Sequence, residues 1–282
     1  MPRAALILVL LLAAACARQP APRQYPLTGQ VLVVNPDRKE LVVRHDEIKG
    51  FMPAMTMPFQ LKDPSLTRER VPGDLIRATL MVTDEKAWLE RVERTGWAPL
   101  AERRDSGPAP ARLLAPGEAV PDETLIDQDG QPFRVSSLQG SVVLLTFIYT
   151  RCPLPDFCPR MDAHFGAVQQ AIKDGRLRGP IRLLSVSFDP DADTPTVLRA
   201  HALRRGADKA IWTFATAPRE RVEAWAGRFG LSVLRDPGNP SGITHNLRTA
   251  VIDRKGRLVA ILDGNRWTPG EAIAALASVP VS

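Results

Sequence analysis

The sequence predicts two folded domains, a small all-β domain followed by a larger α/β domain. Residues 27–97 hold short β-branched runs with turn residues between them, which is the pattern of half-buried strands. Residues 117–282 alternate apolar runs of strand length with helical patterns, which is typical of an α/β layer domain. The intervening residues 98–116 contain four prolines and no apolar period, so we interpret them as a linker.

Four apolar runs of the first domain have the length and composition of strands. They lie at residues 28–34, 40–45, 75–83 and 87–92. A turn at Asn35-Pro36-Asp37-Arg38 separates the first two runs. About 70 residues of short strands suit a small closed barrel, and we expect an OB-like one.

The second domain contains buried strands that alternate with helices. Strands are expected at residues 142–149, 181–188 and 212–215, helices at 160–172, 194–205 and 219–229, and a hairpin at 248–252 and 258–262. Asp193 is the expected N-cap of the second helix. The sequence Thr268-Pro269-Gly270-Glu271 is a capping box that opens a last helix. This order of elements predicts a thioredoxin-like fold.

The composition is that of an ordinary globular protein. Of 282 residues, 44% are hydrophobic and 24% are charged, and the net charge is +6. The positive charges are scattered without long runs, so the basic balance indicates a solvated arginine-rich surface. We therefore expect no nucleic-acid binding.

Residues 1–15 have the shape of an export signal. Arg3 supplies a positive charge, and the apolar run that follows is shorter than the ~20 residues of a membrane span. The run ends Leu12-Ala13-Ala14-Ala15-Cys16, which resembles a bacterial lipobox, with the usual leucine one place further from the cysteine. Cleavage elsewhere would leave Cys16 free or discarded. We expect lipidation at Cys16 and a tether over residues 16–26.

The other two cysteines lie close together. Cys152 and Cys158 enclose Pro-Leu-Pro-Asp-Phe, directly after an apolar strand and before a helix. Two cysteines cannot staple a chain of this length, so chemistry explains them better than a disulfide scaffold does. A helix N-terminus favours the thiolate, which is the form that binds metal or attacks. Two thiolates and an imidazole make a three-coordinate Cu(I) site.

Three histidines are candidates for the third ligand of such a site. His164 lies one turn past Pro159 in a predicted helix, and His201 lies in an arginine-rich helix that we expect at the surface. His245 lies in a Gly/Pro-rich loop that enters a strand, and loops on a rigid scaffold commonly carry site residues. A loop histidine can equally be solvated and idle, so the residues alone leave this choice open.

The first domain holds an unusual cluster of one histidine and three methionines. Met52, Met55 and Met57 lie close together, and His45 ends the preceding strand. Met55 and Met57 share one face of a strand, because side chains alternate along it. Imidazole with thioethers is a soft, neutral ligand set that selects Cu(I) over Zn or Ca. The alternative is that the methionines fill a hydrophobic core.

The spacing of His45 and Met55-Thr56-Met57 follows a family pattern of histidine, aromatic residue and Met-Thr-Met. Residues 29–96 thereby resemble the CusF family of periplasmic copper-binding domains, small β-barrels that hold Cu(I) or Ag(I). The resemblance implies that His45, Met55 and Met57 bind copper. The family's tryptophan, which caps the metal, is replaced here by Met52, which offers a third thioether.

Four segments of the second domain match another family. They are Asp127-Gln-Asp-Gly-Gln131, Phe147-Ile-Tyr-Thr-Arg-Cys152-Pro, Ser187-Phe-Asp-Pro-Asp-Ala-Asp-Thr-Pro195 and Thr244-His245. Residues 119–276 thereby resemble the Sco/SenC family, which binds copper and helps to mature the copper centre of cytochrome oxidase. The resemblance implies Cys152, Cys158 and His245 as ligands of Cu(I), with Cu(II) left open. The family usually has three residues between the cysteines; with five, either the loop still converges on the metal or the pair favours redox work.

These expectations combine into a two-site copper chaperone. We expect a membrane-anchored bacterial lipoprotein that faces the periplasm and passes copper to a client protein, such as a cytochrome oxidase subunit. The rival hypothesis is an enzyme, a thiol–disulfide oxidoreductase that keeps the client's copper-site cysteines reduced. The cysteines lack the Cys-x-x-Cys spacing of general thioredoxins, which weighs against general reductase activity. A peroxidase would need an activated cysteine with an arginine partner, and neither Arg151 nor Arg160 is singled out.

Overall fold

The computed structural model describes residues 21–100, 112–236 and 239–280. The predicted export signal and Cys16 lie outside these ranges. The described residues form a five-stranded sheet, a seven-stranded sheet and a two-stranded hairpin. Among them there is no helix with the length and apolarity that crossing a membrane requires.

The region before residue 100 is all-β apart from one short helix. Its described strands are β1 Arg23–Asn35, β2 Glu40–His45, β3 Met55–Leu61, β4 Asp74–Val82 and β5 Ala87–Trp97, and the helix α1 is Leu66–Glu69. The strands pair in the order β1-β2-β3-β5-β4, and β4 pairs back onto β1, so the ring of strands closes. The prediction of an all-β first domain is confirmed.

The strand β1 begins earlier than the sequence predicts. Residues 23–26 pair with residues 79–82 of β4, so the end of the predicted tether 16–26 belongs to the sheet. Tyr25 stacks on Phe51, with ring centroids 4.5 Å apart. This part of the strand was not predicted, because its composition is polar and contains proline. Composition also does not reveal a distant aromatic partner such as Phe51.

The strand β3 has one edge that is mostly without a strand neighbour. On one side it pairs with β2 along its whole length, from Glu40↔Gln60 to His45↔Met55. On the other side it pairs with β5 only at Gln60 and Leu61. The backbone of residues 55–58 therefore keeps an open edge within the barrel, and such an edge accepts hydrogen bonds from whatever packs there.

The region after residue 112 alternates strands and helices. Its described strands are β6 Thr124–Asp127, β7 Pro132–Arg134, β8 Val142–Ile148, β9 Ile181–Ser187, β10 Trp212–Thr216, β11 Val233–Asp236, β12 Asn239–His245, β13 Arg248–Ile252 and β14 Leu258–Asp263. Its described helices are α2 Cys158–Lys173, α3 Pro195–Arg204, α4 Arg219–Gly227 and α5 Pro269–Ala277. The large sheet has the order β14-β13-β8-β9-β10-β6-β7, and β8, β9 and β10 run parallel. The strands β11 and β12 form the separate hairpin.

The strand β8 lies at the centre of this domain. All seven of its residues are buried, as its continuous apolar run requires of a strand covered on both faces. Phe147 packs against Trp225 and Phe229, with ring centroids 5.7 and 5.5 Å away. The helices α2 and α5 contact each other, and both contact β8. The predicted thioredoxin-like α/β fold of the second domain is confirmed.

The N-cap predicted at Asp193 is wrong by one residue. Thr194 caps α3, since its hydroxyl accepts the Val197 N–H. Asp193 is instead fully buried, and its carboxylate accepts the Thr150 N–H at 2.9 Å and the hydroxyls of Thr150 and Ser187 at 2.5 Å each. The carboxylate thereby ties the chain after β8 to the end of β9.

The prediction that His201 lies at the surface is also wrong. His201 is 4% exposed, and its Nε2 lies 2.8 Å from the Asp162 carboxylate, which also pairs with Arg205 at 3.0 Å. An arginine-rich helix predicts a solvated face, but a carboxylate on the neighbouring helix α2 gives the imidazole a buried partner.

The last helix begins as predicted, whereas four short strands escape prediction. Thr268 and Glu271 form the capping box at the start of α5. The strands β6, β7, β11 and β12 lie in segments without an apolar run. Pairing with neighbouring strands, and not local propensity, holds such segments in place.

The buried carboxylate of Asp193 predicts a large stability effect. We expect Asp193→Ala to lower the free energy of unfolding by about 3 kcal/mol, because three buried donors lose a charged acceptor. Equilibrium denaturation measures the loss. Asp191→Ala, a change at an exposed carboxylate in an ion pair with Arg219, serves as the control and should cost at most about 1 kcal/mol. Equal losses in the two variants would contradict the assignment.

Candidate metal centre

The loop that joins β8 to α2 carries both cysteines and is anchored where it leaves the sheet. Thr150 is bonded to Asp193, and the Arg151 guanidinium lies 2.7 Å from the buried carboxylate of Asp189. Cys158 is the first residue of α2. We call residues 152–158 the thiolate loop. Its anchors are acidic side chains that follow β9, so two parallel strands jointly position the first cysteine.

Cys158 and His245 face each other across the end of the sheet. The Cys158 Sγ lies 3.8 Å from the His245 Nε2, and both side chains are buried. Cys152 is half-buried and interacts with both of them, and the two cysteines are free thiols. The sequence-predicted residues Cys152, Cys158 and His245 therefore meet at one place, which we call the thiolate site.

The thiolate site is not preshaped as a finished coordination sphere. Across residues 21–100, 112–236 and 239–280, no three His, Cys, Asp or Glu side chains are spaced as they stand to hold a metal ion. Of the two cysteines, Cys152 at the start of the thiolate loop is the more exposed.

The two thiols have pKa values shifted in opposite directions. Burial opposes ionisation of Cys152, yet hydrogen bonds from Cys158 and His245 outweigh it and hold its pKa well below the usual value. Burial raises the pKa of Cys158 well above the usual value, and the neighbouring Cys152 adds to the rise. The two thiols therefore ionise unequally, and Cys152 loses its proton before Cys158.

The imidazole of His245 is held in one tautomer. Its Nδ1 lies 2.7 Å from the Asn246 carbonyl, which can only accept, so Nδ1 carries the hydrogen. Nε2 then faces the Cys158 Sγ at 3.8 Å, where it donates or accepts according to the protonation of the ring. The rings of Tyr149 and Phe188 pack against the imidazole at 5.4 and 4.8 Å, which fixes its plane.

The other two candidate histidines lie elsewhere. His164 packs on Trp267, with ring centroids 4.6 Å apart. His201 is engaged by Asp162. Of the three histidines considered from the sequence, the structure brings His245 to the cysteines.

The histidine and methionines of the first domain also converge, through strand register. His45 of β2 lies directly opposite Met55 of β3, and Val43 lies opposite Met57, so these side chains share one face. His45, Met55 and Met57 are 2%, 4% and 6% exposed. Met52 precedes β3 and is equally buried. We call His45, Met52, Met55 and Met57 the methionine site.

The hydrogen bonding of the His45 ring is that expected of a metal ligand. Its Nδ1 lies 2.7 Å from the Asp46 carbonyl, so the lone pair is on Nε2, which is buried and has no hydrogen-bond partner among the described residues. Burial lowers the pKa of His45, against the opposing effects of Asp46. An imidazole with a buried nitrogen left free, on the same strand face as two thioethers, fits a soft cation. The methionines also belong to the hydrophobic core, so packing and binding are compatible roles.

The two sites lie on either side of the seam where the domains meet. The Thr56 N–H donates to the Thr244 hydroxyl at 3.1 Å, and that hydroxyl donates to the Thr56 carbonyl. Thr56 lies between Met55 and Met57, and Thr244 precedes His245. The Thr244 side chain thus occupies the open edge of β3. The two sites are therefore separated in space by the neighbouring residues Thr56 and Thr244, and not by the length of the linker.

Asp156, inside the thiolate loop, is a buried carboxyl at the same seam that the sequence analysis missed. Burial raises its pKa to about 6, partly offset by the backbone and by the charge of Arg160. One carboxyl oxygen lacks a hydrogen-bond partner among the described residues, while the Asp156 carbonyl accepts from Asn265 at 2.7 Å. In the sequence, the one feature that could have pointed to Asp156 was its position between the two cysteines.

Two family models match the chain. The model of SCO1/SenC matches residues 116–280, and the model described as copper binding periplasmic protein CusF matches residues 24–94. The two matches cover the α/β and the all-β region in turn.

Individual relatives and solved structures agree with the first match. The SCO1 protein homolog of Bacillus subtilis (strain 168) is 27% identical over 151 residues, which are 53% of this chain and 76% of the relative. The SCO2-like protein of Rickettsia felis is 26% identical over 140 residues, which are 48% of this chain and 65% of the relative. The crystal structure of a SCO1/SenC family lipoprotein from Bacillus anthracis str. Ames superposes with a TM-score of 0.50 at 24% identity, over 62% of this chain and 97% of that chain. At that identity the superposition shows a shared fold.

The unequal thiols predict an order of reaction. At neutral pH we expect N-ethylmaleimide to modify Cys152 well before Cys158, because Cys152 is more exposed and ionises first. His245→Gln should slow the modification of Cys152 several-fold at neutral pH, because one group that lowers its pKa is removed. Peptide mass spectrometry resolves the two cysteines. His164→Ala is the matched control and should leave the rate unchanged; faster labelling of Cys158 would contradict the assignment.

Proposed function

The chain belongs to the SCO1/SenC family, and from this premise we propose that it is a copper chaperone. The observation that carries the proposal is the meeting of two free thiols, Cys152 and Cys158, with the Nε2 of His245. Sulfur and imidazole donors suit Cu(I), with Cu(II) as the alternative oxidation state. Copper is cargo in this proposal, held by the thiolate site until the ligands of a client take it.

The methionine site is proposed as a second copper site. Its support is the buried Nε2 of His45, which has no hydrogen-bond partner among the described residues, and the position of Met55 and Met57 on the same strand face, together with the CusF match over residues 24–94. Met52 supplies a third thioether where a CusF-like domain carries an aromatic cap. All four donors are neutral, so the site binds Cu(I) without neutralising its charge.

Copper is proposed to move from the methionine site to the thiolate site. Thioethers are weaker donors than a thiolate, so affinity rises in that direction. The hydrogen bonds between Thr56 and Thr244 join the two ligand strands side by side. A cuprous ion can then exchange ligands one at a time across the seam, and the thiolate of Cys152 is the first strong donor to compete for it.

The cellular setting is proposed from the sequence. We propose an export signal over 1–15, lipidation at Cys16, a tether that ends before β1, an OB-like barrel from β1 to residue 97, a linker over 98–116 and the SCO1/SenC domain over 117–282. The lipid would hold the chain on a bacterial membrane facing the periplasm. The proposed client is a copper-receiving protein such as a cytochrome oxidase subunit.

Copper stoichiometry tests the two-site proposal. The metal-free, reduced chain should bind two Cu(I) ions in competition with a chromophoric chelator. Cys152→Ser, His245→Ala and Met55→Leu should each bind one, because each removes a ligand from one site and leaves the other.

A methionine outside the site provides the control for this experiment. Met81→Leu changes a buried methionine of β4 in the same domain and should retain both ions. If Met55→Leu also retained both, the methionine site would be core packing alone.

The alternative is a thiol–disulfide oxidoreductase. The unequal thiols favour it, because Cys152 ionises readily and could attack while Cys158 resolves the mixed disulfide. In that reaction the protein's dithiol becomes a disulfide and the client's disulfide becomes two thiols. A carboxyl at position 156 and the five-residue spacing distinguish the pair from general thioredoxins.

The two proposals differ in what His245 does. If His245→Ala keeps full copper stoichiometry while Cys152→Ser loses the reduction of a client-like peptide disulfide, the oxidoreductase stands and the chaperone fails. If His245→Ala loses one copper ion and the wild-type chain leaves the peptide disulfide intact, the chaperone stands.

A further inference from the structure

The thiolate loop inserts an apolar side chain into the other domain. Leu154 is 1% exposed and belongs to the hydrophobic core of the first domain, together with Met52, Met55 and Met57. Phe157 packs against the cores of both domains. The leucine between the two cysteines of the second domain therefore packs in the core of the first-domain barrel.

The loop is shaped to present this leucine. Pro153 and Pro155 flank Leu154, and a residue before proline is driven to extended backbone. The Phe157 N–H donates to the Leu154 carbonyl at 3.2 Å and closes a tight turn. The loop is thus ordered by its own residues, and little conformational freedom is lost when it docks.

Polar contacts around Leu154 fix the orientation of the two domains. Arg160 of α2 donates to the Glu85 carbonyl at 3.0 Å, and Arg38 pairs with Asp263 at 3.5 Å. Thr244 supplies the hydrogen bonds to β3 described above. These contacts come from α2, β14 and β12, so the barrel rests on three elements of the second domain.

We infer that the barrel is a lid on the thiolate site, with Leu154 as the plug that docks it. The interaction surface is formed by Leu154, Phe157 and Thr244, and its occupant is the first domain of the same chain. In the docked chain, Cys158 and His245 are buried, and small molecules reach the site through the half-buried Cys152. A folded client must displace the barrel before its ligands can contact the thiols. This inference rests on the proposed function, because that function gives the thiolate site its role.

Thiol accessibility tests the lid in the metal-free, reduced full-length chain. We compare the labelling rate of Cys152 by N-ethylmaleimide with that by a maleimide carrying a long polyethylene glycol chain. In the wild-type chain the small reagent should react at least about tenfold faster, after correction for the ratio measured on a free thiol peptide. Leu154→Asp should lower this ratio by about tenfold, because docking then buries a carboxylate in place of a leucine.

Three further variants locate the effect. Leu203→Asp changes a leucine that is 74% exposed on α3 and should leave the ratio at the wild-type value. Leu154→Ala is the milder substitute if Leu154→Asp fails to fold, and it should lower the ratio by a smaller factor. Arg38→Glu faces Asp263 outside the thiolate loop and should lower the ratio about two-fold by repulsion.

Two results overturn the lid. One is a wild-type chain that reacts equally fast with both reagents. The other is a folded Leu154→Asp or Leu154→Ala chain that keeps the wild-type ratio. Neither result involves copper, so a chain that binds two copper ions but fails this test loses the lid and keeps the proposed function.

Discussion

Leu154 belongs to a loop of one domain and to the core of the other, and this double attachment sets the position of both candidate sites. The cysteines on either side of it are held at the end of β8, while the methionines beside it line the barrel. Shortening the loop would withdraw the leucine from the barrel or pull the cysteines from the sheet. With five residues between the cysteines, one loop reaches two hydrophobic cores at once.

The histidines of the two sites make the same kind of hydrogen bond to the backbone. In each, Nδ1 donates to the carbonyl of the next residue, Asp46 for His45 and Asn246 for His245, which leaves Nε2 for the site. The surroundings then differ. His45 shares a strand face with thioethers and its Nε2 has no hydrogen-bond partner among the described residues, whereas the Nε2 of His245 faces a thiol. The same imidazole therefore contributes to a thioether site in one domain and to a thiol site in the other.

The sequence was sufficient for features that depend on local pattern. Strand alternation placed Met55 and Met57 on one face, and the continuous apolar run of β8 marked a central strand. It failed where a residue's role depends on a distant partner. Asp193 has the position of a helix cap and serves as a buried acceptor for two strands, and His201 lies in an arginine-rich helix and finds Asp162 inside. Leu154 carried no signal, because an apolar residue between prolines gives no indication of which core will receive it.

The burial of Met52, Met55 and Met57 has a chemical consequence for the lifetime of the protein. A thioether exposed to peroxide is converted to a sulfoxide, which is polar and chiral and no longer a soft sulfur donor. In the described structure these side chains lie in an apolar cluster that includes Leu154. Burial therefore protects the sulfurs from oxidants dissolved in the surrounding water.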